Sequence, residues 1–136
     1  IINNPFVKEG MKVTFDPAQV YNFELEKTAD EKILVKKLKG ALSNKQKRSI
    51  EVDVINTDRS FGTIFGSEIT KMYPEGLEED TYTVKCNGAG GQSFGAFIPK
   101  GLTLELVGDS NDYFGKGLSG GKLIVYPPKS AKFKQD

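Results

Sequence analysis

The chain has 136 residues with 19 basic and 18 acidic side chains, a net charge of +1. That balance gives no overall pull toward nucleic acid or an anionic membrane, and no apolar run approaches the roughly 20 residues of a membrane helix. With no histidine, no tryptophan and one cysteine, the commonest general base and metal ligand are missing, and one thiolate cannot build a zinc or iron–sulfur site alone.

The length suits one domain with a real core. Cys86 excludes an internal disulfide and points to a reducing compartment. The expected location is therefore intracellular, in the cytoplasm or the mitochondrial matrix. Any chemistry performed by this chain alone must use carboxylates, lysines or hydroxyls.

Residues 1–27 show no clean period and read as an extended arm or linker, with one alternating stretch, Met11 to Phe15, that could form a short strand stopped by Asp16-Pro17. Residues 28–49 read as a helix and a polar connector. Thr28 and Glu31 form a capping box, and Ile33, Leu34, Leu38 and Leu42 follow at helical spacing, which places a helix over about 29–43. Residues 50–136 read as the main body. Ile50 to Ile55 alternates as a strand with Ile50, Val52 and Val54 on one face. Ser67 is placed as the cap of a short helix ended by Pro74 and Gly76. Three further strands follow, Tyr82–Cys86, Leu102–Leu106 and Leu123–Tyr126, beginning roughly 20 residues apart.

After each of the first three strands the chain passes through small polar residues and closes on an aromatic and a glycine: Ser60-Phe61-Gly62, Ser93-Phe94-Gly95 and Tyr113-Phe114-Gly115. Asn56, Asn87 and Asn111 sit where a side-chain amide can bond local backbone. Self-similarity of this kind marks stacked units. Strands at that spacing, separated by glycine-rich corners, predict successive coils of a parallel β-helix. Glycine supplies the corners because it takes positive φ without strain.

Three runs then strongly resemble one family. They are Asn56-Thr57-Asp58-Arg59 with Gly62; Gly90-Gly91-Gln92-Ser93-Phe94-Gly95; and the stretch from Gly108 through Asp109, Asn111, Asp112, Gly115, Gly117, Gly120 and Gly121 to Pro128. This looks like the carboxy-terminal GXGXG domain of the glutamate synthase large subunit, a right-handed parallel β-helix, over about residues 50–128. The resemblance implies a mainly β fold: a short solenoid preceded by a helix and an arm. It also implies a non-catalytic role, because that enzyme makes two glutamates from glutamine and 2-oxoglutarate in other domains. Those domains carry the amino-terminal cysteine, the flavin mononucleotide (FMN) and the iron–sulfur cysteines. The family's β-helix continues for several more coils, whereas this chain stops soon after Pro128.

The tempting sites each have a plainer reading. Gly115-x-Gly117-x-x-Gly120 has dinucleotide-binding spacing, but that fingerprint requires a following helix, and Leu123 to Tyr126 reads as a strand. Asp109 and Asp112 are expected to bond corner N–H groups or to pair with Arg59 or Lys116. Cys86 is expected to be a small buried apolar group. Lys36, Lys37, Lys39, Lys45, Lys47 and Arg48 form a solvated face, with contact to an acidic partner second. The functional residues are therefore expected to be structural corners: Asn56, Asp58, Arg59, Gly62, Gly90, Gly91, Ser93, Phe94, Gly95, Gly108, Asp109, Asn111, Asp112, Gly115, Gly117, Gly120 and Gly121. No catalytic, cofactor or metal residue is expected. The resemblance implies a scaffold domain or split subunit of a larger oxidoreductase, with FMN and iron–sulfur groups in partner domains. The alternative is an accessory or assembly subunit of an unrelated, membrane-bound mitochondrial complex. Either way a larger protein should cap the open end of the stack, with no nucleic acid partner and no membrane span.

Overall fold

The computed structural model describes residue 10 and residues 15–132. Of the strand expected at Met11–Phe15, the first four residues lie outside the described ones. A short 3-10 turn, Leu25–Lys27, leads into a π-helical turn, Asp30–Val35, that continues as α1, Lys36–Leu42. One half of the expected capping box forms, Thr28 Oγ1 accepting the Glu31 N–H at 3.3 Å, while the Thr28 N–H bonds Leu25 O in place of the Glu31 side chain. Leu34, Leu38 and Leu42 recur at helical spacing and are fully buried.

Four strands follow: β1 (Arg48–Val54), β2 (Tyr82–Gly90), β3 (Leu102–Ser110) and β4 (Lys122–Tyr126). A ten-residue helix, α2 (Thr63–Met72), stands between β1 and β2. The strands form one sheet in the order β1-β2-β3-β4, every pair parallel. The register aligns Val52 with Cys86, Cys86 with Leu106, and Leu106 with Val125. Side chains on one face of the sheet therefore stack from strand to strand.

That inner face meets the helices. Val52, Val54, Tyr82, Val84, Cys86, Leu102, Leu104 and Leu106 share a core with Leu34, Leu38, Leu42, Phe65 and Ile69. The ring of Phe65 meets Tyr82 edge-on at 5.4 Å. The outer face is polar: Asn87 Nδ2 donates to Glu51 Oε1 at 2.8 Å, Lys85 lies 3.7 Å from the same oxygen, and the Tyr126 hydroxyl donates to Glu105. These partners hold the Glu51 carboxyl below its usual range, Asn87 first and Lys85 second.

The expected solenoid is overturned. Among the described residues the structure is a small α/β fold with one four-stranded parallel sheet and two α-helices. The helices decide this: α1 and α2 supply Leu38, Leu42, Phe65 and Ile69 to the shared core, so one sheet buries one face against helices. The placement of the short helix is also corrected. It begins at Thr63, inside the first corner motif, with Gly62 as its N-cap, and Ser67 lies within it.

Candidate functional site in the stacked turns

The turns that leave β1, β2 and β3 lie on one another. Ser60 N–H donates to Gln92 O at 2.8 Å, Gly95 N–H to Phe61 O at 2.9 Å and Ser93 N–H to Asp112 O at 2.9 Å. Asn111 N–H donates to Gly90 O, Gly115 N–H to Phe94 O and Phe97 N–H to Lys116 O, each at 2.9 Å. Their aromatic residues stack inside. Phe61 and Phe94 are 5.7 Å apart at 13°, and Phe94 and Phe114 are 5.9 Å apart at 2°. The repeated residues seen in the sequence thus form a column of turns held by backbone bonds and ring contacts.

Two glycine requirements follow from the geometry. Gly95 has φ 69°, and a Cβ there would stand 2.5 Å from Leu123 Cδ2. At Gly108 a Cβ would lie 1.7 Å from the carbonyl oxygen of Gly88, so only a bare backbone lets the strands approach this closely. A positive φ is also taken at Ser60, Ser93 and Tyr113, the residue before each stacked phenylalanine. Sequence reasoning assigned this conformation to the glycines alone.

The family described as GXGXG motif matches residues 30–136. The chain belongs to the GXGXG family. This GXGXG domain is 48% identical over 118 residues to the glutamate synthase [NADPH] large chain of Bacillus subtilis, covering 86% of this chain and 8% of that protein. It is 52% identical over 88 residues to the glutamate synthase [NADH] of Schizosaccharomyces pombe, covering 64% and 4%. It is 45% identical over 80 residues to the ferredoxin-dependent glutamate synthase 2 of Synechocystis, covering 59% and 5%. The resemblance to the glutamate synthase GXGXG domain therefore holds. The chain spans less than a tenth of the length of these relatives.

Other expected corner residues of the GXGXG domain take varied places. Asp58 accepts the Ile55 N–H through Oδ2 at 2.9 Å and closes the first turn. Gly91 brings its backbone against the carbonyls of Asn56 and Asp58. Asn56, Arg59, Asp109, Asn111 and Asp112 are exposed. Among the described residues Asp109 and Asp112 form neither of the expected ion pairs: Lys116 instead sits over the Tyr113 ring at 5.0 Å. Gly115, Gly117, Gly120 and Gly121 run into β4, a strand, where a pyrophosphate cradle needs a helix N-terminus. Cys86 is fully buried, and burial pushes its thiol up to about 12. A lone, buried, protonated thiol does not fit an iron–sulfur cluster.

Two arrangements escaped sequence reasoning. Asp30 reaches across to the N-terminus of α2: Oδ1 accepts the Gly62 N–H at 2.7 Å, and Oδ2 accepts those of Ile64 at 2.8 Å and Phe65 at 3.2 Å. Its burial pushes the carboxyl above the usual range, against the pull of those three bonds. At the start of the strands, Asp80 accepts from Thr103 Oγ1 at 2.6 Å and from Lys122 at 2.9 Å, and Lys122 also meets Glu79. The Thr103 bond, then Lys122, holds the Asp80 carboxyl low. Neither arrangement has a local signal, because Asp30 caps a helix more than 30 positions away and Asp80 pairs with Lys122 across two strands.

Proposed function

We propose that the chain is a non-catalytic structural module of a larger glutamate synthase-type enzyme. The observation that carries this reading is the column of turns. Its repeated motif residues hold Phe61, Phe94 and Phe114 at a fixed spacing. The depression at the carboxyl ends of β2 and β3, where open parallel sheets often take ligands, is lined by Asn87, Gly88, Val107, Gly108, Asp109, Pro127 and Pro128. Asp109 is its single charged group, too little for acid–base work by a pair. On this reading FMN and iron–sulfur chemistry resides in other parts of the enzyme. A larger protein body covers the exposed outer edge of β4, where Ile124, Val125 and Tyr126 are open to solvent.

The test replaces Asp109 and Asp112 by Asn, and Cys86 by Ser, in the intact glutamate synthase that contains the chain. Glutamate formation should stay within about twofold of the parent, since side chains outside the reacting centre contribute no transition-state stabilisation. A hundredfold loss of kcat with unchanged melting would refute a structural role.

A further inference from the structure

Between Phe15 and Leu25 the chain carries five large apolar side chains that the core does not take up. Phe15 and Val20 are 90% exposed, Tyr21 and Phe23 are 74% exposed, and Leu25 is 52% exposed. Exposed apolar residues are ordinary when scattered singly, but a run of five within eleven positions forms a contact surface. The charged side chains of this stretch, Asp16 and Glu24, are both acidic.

The stretch is also shaped. The rings of Tyr21 and Phe23 meet edge-on at 4.8 Å. Asn22 Oδ1 accepts the Glu24 N–H at 2.9 Å, and Glu24 takes a left-handed φ of 51°. Lys27 bonds back to Glu24 through its ammonium at 2.6 Å, and the Thr28 hydroxyl donates to Leu25 O at 2.6 Å. Two residues later Asp30 is fastened to α2. The aromatic pair is therefore presented from an anchored base in a preset geometry, which lowers the ordering cost of association.

The comparison with the Bacillus subtilis large chain indicates what covers this pair. A match spanning 86% of this chain includes residues 20–27 wherever it begins, and it occupies only 8% of that protein. In that relative the corresponding arm lies within a polypeptide more than nine-tenths of which is elsewhere. A second copy of this chain is the poorer occupant, because three depressions on its surface do not join an apolar lining to a basic border. The depression beside β1 is lined by Glu51 and Asp53 against the one Lys37, and the depression at the strands' carboxyl ends carries Asp109. The third, at the start of the strands, carries Lys100 and a Lys122 paired with Glu79 and Asp80, but apart from Leu102 its lining is glycine, threonine and charged side chains, so it is no apolar groove.

We propose that Val20, Tyr21, Phe23 and Leu25 dock into an apolar groove, bordered by lysine or arginine, on another domain of the same large polypeptide. Tyr21 and Phe23 are the anchors, as aromatic residues commonly are at interface centres, and the net acidic arm, with Asp16, Glu24 and Glu26 against the one Lys27 that pairs with Glu24, faces the basic border. The inference rests on the reading of the chain as a module of a larger glutamate synthase-type enzyme.

Hydrogen exchange on the intact enzyme, parent against Phe23→Asp and Tyr21→Ser, tests it. Amides of residues 19–26 should exchange at least tenfold more slowly in the parent than in either variant, while amides of β2 and β3 keep their protection. Parent amides that exchange at the rate of an unstructured peptide would overturn the proposal. So would protection that disappears on diluting the enzyme to its monomer, which would assign the contact to a second copy. An unprotected arm in an enzyme that passes the Asp109, Asp112 and Cys86 test removes the docking and leaves the module. A protected arm in an enzyme that fails that test removes the structural reading and leaves the docking.

Discussion

Phe94→Ala is the sharpest test of the column of turns. Phe94 is fully buried between Phe61 at 5.7 Å and Phe114 at 5.9 Å, and a Cβ at Gly90 would already touch its ring at 3.1 Å. Large-to-small changes of a buried phenylalanine cost about 3–5 kcal/mol, depending on how far the site collapses. Two ring contacts worth about 0.5–1.5 kcal/mol each are lost with the side chain, which places this site at the upper end. The neighbouring turns are pinned by backbone bonds on both sides, so collapse is restricted. Against a domain stability of about 5–15 kcal/mol, the melting temperature should fall by about 10 °C or more. Urea unfolding gives the free energy directly, and Phe94→Leu should recover much of it. A loss under about 1 kcal/mol would mean that the rings do not support the column.

Gly95→Ala adds a Cβ at a left-handed position 2.5 Å from Leu123 Cδ2, and should cost about 1–3 kcal/mol by thermal melting; an unchanged melting point would contradict the close contact. Asp30→Asn should destabilise by about 1–3 kcal/mol, because both carboxyl oxygens accept buried N–H groups of α2 and the asparagine NH2 cannot accept in place of one of them. The Asp30 carboxyl is raised above its unfolded value of 3.8, so its titration favours the fold below the unfolded pKa and the benefit fades as pH rises through the folded pKa. The stability difference between parent and Asp30→Asn, followed by urea unfolding between pH 3 and 7, should therefore widen toward acid. A difference that narrows toward acid would show that the three N–H bonds outweigh burial.

Much of the sheet is legible from local pattern. Alternation at Ile50, Val52 and Val54 marks β1, and the interval from Phe94 to Phe114 matches the offset at which Tyr82 pairs with Leu102. The turn motifs are legible too, because an aromatic followed by glycine recurs where each strand ends. The layer arrangement was not legible. Periodicity records strands and turns, whereas the architecture depends on how α1 and α2 pack on the sheet, through Leu38 and Phe65 among others. The start of α2 was hidden for a related reason. A cap donated by Asp30 from a distant helix leaves Gly62 and Thr63 without a local capping residue, and Ser67 offered a false one. The expected partners of Asp109 and Asp112 failed because sequence proximity does not say which way an exposed side chain points.

The strand register also bears on how the molecule assembles in time. Arg48 pairs with Tyr82, Tyr82 with Leu102 and Thr103 with Lys122, separations of 34, 20 and 19 positions. Closing the longest of these loops costs only about 0.5 kcal/mol more than closing the shortest. An all-parallel sheet, usually slow to form because its pairings are remote, here joins each strand to the next in sequence. The three strands from β2 to β4 should pair first and β1 last. Rate measurements on Leu104→Ala and Val52→Ala would reveal that order as slowed folding for the former and hastened unfolding for the latter.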